Sequence, residues 1–121
     1  MDELDDAFDA VAVYFNALSE PMRLRIIYAV CEQEKTVSQI VEEIGASQTN
    51  VSRHLNLMHR TGVLARRKEG NQVYYRVADP AMVDICRSVC VRIAAQLDQK
   101  KPLRGDLLRL TPRPKRKTRA A

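Results

Sequence analysis

The sequence predicts a mostly α-helical domain carrying one β-hairpin, and three observations predict it. Apolar residues recur at helical spacing through most of the first 60 positions. The period then falls from 3.6 to 2 across residues 63–77, around a Gly70-Asn71 pair. It returns to helical spacing after Asp79-Pro80. The expected order is four helices, a two-stranded hairpin and a fifth helix.

The first helix is expected over about residues 3–18, where Leu4, Phe8, Val11, Phe15 and Leu18 make a stripe and Asp5, Asp6 and Asp9 suit the positive end of the helix dipole. Val13 and Tyr14 lie off that stripe, in reach of a second subunit. Ser19-Glu-Pro21 ends this helix and starts another of about residues 20–31, with Leu24, Ile27 and Tyr28 expected on its inner face. Thr36-x-x-Gln39 is a capping box that opens a short helix of about 36–43, with Val37, Ile40, Val41 and Ile44 facing in. Gly45-Ala46 makes the turn, and Ser47 caps a helix of residues 47–60. A short helix, a glycine turn and a polar second helix make a helix-turn-helix. Residues Val63–Glu69 and Gln72–Val77 are the strands of a basic wing. Asp79 and Pro80 then start a helix to about Gln99, with Met82, Ile85, Cys86, Val89, Ile93 and Leu97 on one face and Cys90 at its edge. The fold class is thus a winged helix-turn-helix. Residues 1–100 make one DNA-binding and dimerisation domain, and residues 101–121 a basic, flexible tail that either solubilises the chain or adds phosphate contacts.

The helix of residues 47–60 carries the functional reading. Val51, Leu55 and Met58 give it one apolar face, while Gln48, Thr49, Asn50, Ser52, Arg53, Asn56 and His59 line the other, with no acid among them. Amides, hydroxyls and a guanidinium on one helix face suit the donor and acceptor edges of bases in a DNA major groove. Gln48, Thr49, Ser52 and Arg53 are expected at bases. Asn50, His54, Arg66, Arg67 and Lys68 are expected at phosphates, His54 having a second reading as a packed helix residue.

Charge supports this. The net charge of +5 hides ten acids against three bases in residues 1–50, six bases against one acid from Arg53 to Arg76, and nine against one from Lys100 onward. Positive charge therefore gathers beside and after the polar helix, which favours a polyanion partner, double-stranded DNA. No stretch is long and apolar enough for a membrane span, and the acidic N-terminus lacks the pattern of a secretory signal, so the cytoplasm is expected. The composition offers no enzyme: there is no Gly-rich phosphate loop or Ser-His-Asp set, and both histidines share one helix.

With these elements placed, the chain resembles the ArsR/SmtB family of winged-helix repressors over about residues 10–98. The resemblance is carried by Ala17-Leu-Ser-Glu-Pro-Met-Arg-Leu-Arg-Ile26, Ser47-Gln-Thr-Asn-Val-Ser-Arg-His-Leu-Asn-Leu-Met58, Gly62-Val-Leu64 and Arg66-Arg-Lys-Glu-Gly-Asn-Gln-Val-Tyr-Tyr-Arg-Val77. It implies a homodimer built through the first and last helices, paired recognition helices and wings on operator DNA, and repression relieved by an inducer.

The departures from the family pattern concern that inducer. Arsenic and cadmium sensors of the family often carry Cys-Val-Cys at the start of the third helix, where this chain has Thr36-Val37-Ser38. Zinc sensors carry Asp-x-His and a second His on the last helix, where this chain has Asp84-Ile-Cys86 and Leu97. Its thiols, Cys31, Cys86 and Cys90, are placed similarly to those of the family's thiol-redox and reactive-sulfur sensors, with Cys31 about a turn later than the matching position. From the residues alone, Cys86 and Cys90 are one turn apart, within reach of one soft ion. Cys31 would be the third thiolate that arsenite prefers if the second helix packs on the last. A disulfide or polysulfide link from Cys31 is the alternative, and inert core cysteines in a constitutive or architectural DNA-binding protein are another. No cofactor is required, and the inducer is either arsenite or another thiophilic ion, or oxidation or persulfidation of the cysteines.

Overall fold

Asp2 starts the first helix by accepting a hydrogen bond from the Asp5 amide through its carboxylate, 2.9 Å away, in a computed structural model that describes residues 2–97. Helix α1 (Glu3–Asn16) is followed by α2 (Pro21–Val30), with Pro21 in its first turn, where a missing N–H costs nothing. A two-residue strand β1 (Lys35–Thr36) leads into α3 (Val37–Ile44). Thr36 and Gln39 form the reciprocal capping box: the Gln39 amide donates to Thr36 Oγ1 (3.2 Å), and the Thr36 amide to Gln39 Oε1 (2.8 Å). Gly45 closes α3 at φ 80°, in the left-handed region that a side chain resists. Helix α4 (Gln48–Arg60) is capped by Ser47, whose hydroxyl accepts from the Asn50 amide at 3.1 Å.

The wing is β2 (Leu64–Glu69) and β3 (Gln72–Val77), antiparallel, with Glu69 opposite Gln72 across the Gly70-Asn71 turn. β1 adds to β3, Lys35 opposite Tyr75 and Thr36 opposite Tyr74, so the sheet order is β1-β3-β2. Residues up to Asp79 form one compact unit, in which α2 touches α3, α4 and β3, while α4 touches α3 and β2. Ile26, Ile27, Ile40, Val51, Leu55, Met58 and Leu64 are fully buried. Helix α5 (Pro80–Leu97) begins the second unit and buries Met82, Val83, Cys86 and Ala94. The architecture is the expected winged helix-turn-helix, mostly helical with a small antiparallel hairpin. The tail of residues 101–121 lies outside the described residues, as does the predicted end of α5 at residue 99.

Three expectations need correction. α2 turns Ile26, Ile27, Ala29 and Val30 inward, leaving Leu24 exposed and Tyr28 half-buried. The helix is apolar on more than one side, and contacts to α3, α4 and β3 select the buried one. On α5, Val89 and Ile93 are exposed, and the buried row runs instead through Met82, Cys86 and Ala94, with Cys90 half-buried in the same row. The strand β1 was not expected. Its two residues join the sheet only through pairing with the distant β3.

Candidate nucleic-acid interface and thiol positions

Burial of Val51, Leu55 and Met58 fixes the rotation of α4 and turns the opposite face outward. Gln48, Thr49, Arg53 and Asn56 are exposed, and Asn50, Ser52 and His59 are half-exposed. The Arg53 guanidinium donates through Nη2 to Asn50 Oδ1, one turn earlier, which steadies two long polar side chains on that face. No acid interrupts it, and the last turn carries His59 and Arg60. The structure brings Gln48, Thr49, Asn50, Ser52 and Arg53 together as one polar surface, in the arrangement a major groove accepts.

His54 departs from that surface. Its side chain is 13% exposed and its Nε2 lies 3.9 Å from Glu20 Oε1, at the N-terminus of α2. The packed reading of His54 describes its position, because position 54 falls between the buried and exposed faces of α4.

The wing separates its bases by the two-residue period of a strand. Arg66 lies opposite Tyr75, and its Nη1 donates to the Tyr75 hydroxyl at 3.3 Å. Lys68, two residues on, is exposed. Arg67 points to the other face. Its Nε donates to both carboxylate oxygens of Glu34, at 2.9 and 3.0 Å, and its Nη2 also reaches Oε2. Its Nη1 donates to Glu69 Oε1 at 2.5 Å, and the guanidinium carbon stands 4.4 Å from the centre of the Tyr74 ring. The Arg67 hydrogen bond is the main cause that lowers the Glu34 pKa; desolvation opposes it, and the charges of Arg67 and Arg76 add to the lowering. The same pairing, with Glu69 second, raises Arg67 further above its ordinary value. A phosphate role for Arg67 therefore conflicts with partners that sequence reading missed. No local signal pointed to Glu34, 33 residues away.

Cys31 caps the end of α2 and donates through Sγ to the Tyr28 carbonyl at 3.3 Å. Cys86 is buried, Cys90 half-buried, and no disulfide is present. Burial raises the Cys90 thiol above its ordinary pKa, which lowers its thiolate fraction at neutral pH. Among the described residues, no group of three or more His, Cys, Asp or Glu side chains is gathered to hold a metal ion. No described helix is long and apolar enough to cross a membrane.

Known proteins share this architecture. Residues 20–65, from the N-terminus of α2 into β2, match the family model for bacterial regulatory proteins of the ArsR family. A probable mercury resistance operon repressor of Streptomyces lividans is 34% identical over 93 residues, which cover 74% of this chain and 74% of that protein. The crystal structure of Rv0081 from Mycobacterium tuberculosis superposes with a TM-score of 0.69 at 26% identity, covering 83% of this chain and 98% of the other. That of the transcriptional regulator HlyU from Vibrio vulnificus does so with a TM-score of 0.64 at 27% identity, covering 72% and 94%. The chain thus belongs to the ArsR family of bacterial regulatory proteins, as a helix-turn-helix, DNA-binding transcriptional repressor and not an enzyme.

Proposed function

We propose that this repressor binds double-stranded operator DNA as a homodimer in the cytoplasm, and that a thiol-directed inducer acting at its cysteines releases it. The observation that carries the DNA reading is the acid-free polar face of α4, held outward by three buried residues on the opposite side. Gln48, Thr49, Ser52 and Arg53 meet bases, while Asn50, Arg66 and Lys68 meet phosphates. Residues 1–100 form the DNA-binding and dimerisation domain. Dimerisation is supported by apolar surface that one chain leaves in water: Leu4, Phe8, Val11, Val13 and Phe15 on α1, and Val89, Val91 and Ile93 on α5. Two such helices per chain supply a self-complementary interface under two-fold symmetry.

The inducer reading rests on Cys86 and Cys90, one helical turn apart in the row that includes Met82 and Ala94. Neighbouring thiolates are soft ligands for a soft ion. The Streptomyces lividans relative is named for mercury resistance, which supports a thiophilic ion such as mercury(II) or arsenite. Binding must expel the thiol protons, so uptake strengthens as pH rises. Oxidation or persulfidation, with Cys31 as partner thiol, is the other form of the same switch.

A specific observation favours a second reading. Cys86 is buried, and burial raises the Cys90 thiol above its ordinary pKa, as expected of inert cysteines in a constitutive DNA-binding protein. One experiment decides. Gel shifts on promoter DNA are run with mercury(II), arsenite and an organic persulfide, for the wild type and for Cys31→Ser, Cys86→Ser and Cys90→Ser. Release by one agent, lost in a serine variant, supports the switch. Retention of DNA under every agent leaves the constitutive repressor.

A further inference from the structure

We propose that Glu34 is a positioning residue for DNA binding. It fixes the wing through Arg67, which acts as a strut across the sheet and not as a phosphate contact. The proposal rests on the wing meeting DNA. Glu34 immediately precedes β1, at one edge of the sheet, and Arg67 lies in β2, at the other. Their side chains meet over β3, where Tyr74 is the cross-strand partner of Arg67 and its ring supports the guanidinium. One ion pair therefore ties the two outer strands together above the middle one. All three guanidinium nitrogens already donate to carboxylates, Nε and Nη2 to Glu34 and Nη1 to Glu69. A phosphate would have to displace one of two carboxylates to reach Arg67.

The fork geometry of arginine explains why a lysine would not do the same work. A planar guanidinium grips a carboxylate in two places and lies flat on a ring, whereas an ammonium is a point charge. β1 is two residues long, so backbone pairing alone holds the edge of the sheet weakly. The strut supplies an anchor beside it. Arg66 and Lys68 alternate with Arg67 on the other face of β2, where both side chains are exposed and in reach of DNA.

The test is fluorescence anisotropy of the full-length protein on a random-sequence 30-base-pair duplex, across a range of sodium chloride concentrations. Glu34→Gln and Arg67→Lys are each expected to weaken binding about three- to fivefold at fixed salt, the scale of an exposed pair. Neither is expected to change the log–log salt slope. The charge swap Glu34→Arg with Arg67→Glu is expected to recover most of the loss. Lys68→Ala, by contrast, is expected to flatten the slope by about 0.9, the loss of one phosphate contact. Wild-type affinity in Arg67→Lys overturns the proposal, as does a slope flattened by about 0.9 in Arg67→Gln. Failure of the swap to recover binding in a protein with native circular dichroism also overturns it. Where the swap does not fold, amide exchange in Glu34→Gln decides: faster exchange in β2 and β3 supports the strut, and unchanged exchange overturns it. If Lys68→Ala leaves the slope unaltered, the wing is off the DNA and the proposal falls with that reading.

Discussion

The imidazole of His54 is packed at the foot of α2, with Nε2 3.9 Å from Glu20 Oε1, while the adjacent Arg53 stands in water and donates to Asn50. Neighbours in sequence thus serve different sides of α4. His54→Ala is expected to lower stability by about 1–2 kcal/mol, as for loss of a mostly buried side chain, and to leave the salt slope of DNA binding unchanged. Denaturant melts together with a salt titration check both halves. A stable variant with a flattened slope would return His54 to the phosphates.

Arg53→Ala carries the opposite expectation. Loss of a base contact costs about 1–3 kcal/mol on specific DNA and little on a scrambled duplex. Titration of both duplexes at one salt concentration measures the difference. Equal losses on the two would make Arg53 a phosphate contact.

The Glu34–Arg67 pair predicts a pH dependence with a definite sign. Arg67 holds the Glu34 carboxyl below the usual carboxylate range in the folded chain. Its contribution is therefore present above the unfolded pKa and lost as pH falls through the lowered folded value. The stability gap between wild type and Glu34→Gln is expected to be open at neutral pH and to close in acid. Urea melts across that range give the answer. A gap of constant size would mean that the carboxylate charge is not what holds Arg67.

Cys90 gives a second titration. Because burial raises its thiol pKa, alkylation by iodoacetamide is expected to run slower at neutral pH than that of glutathione, and to accelerate as pH climbs beyond the ordinary thiol range. Mass spectrometry of timed samples, read peptide by peptide, checks it. Rapid neutral-pH labelling of Cys90 would mark it as an activated thiolate.

Much of this molecule is legible locally. Ser47, the Thr36–Gln39 box and the Gly70-Asn71 turn act within a few residues, and each begins, caps or reverses the element expected of it. The polar face of α4 is equally local, since the spacing of Val51, Leu55 and Met58 fixes its rotation. What sequence reading missed depends on distant partners. β1 exists because Lys35 and Thr36 pair with Tyr75 and Tyr74. Arg67 reads as one more basic wing residue until Glu34 is brought beside it by that same pairing. On α2 and α5, apolar residues occupy more than one face, so helical spacing offers several stripes; contacts to α3, α4 and β3 choose Ile26 over Leu24 on α2, and on α5 Ala94 is buried while Ile93 is exposed.

The most direct test of the account is competition between a duplex from the repressor's own promoter and a scrambled duplex of equal length, at low ionic strength. Binding to the promoter is expected to be tighter by about a thousandfold or more, with that preference sharply reduced by Arg53→Ala. Equal affinity for the two duplexes, or no binding to either, would contradict it.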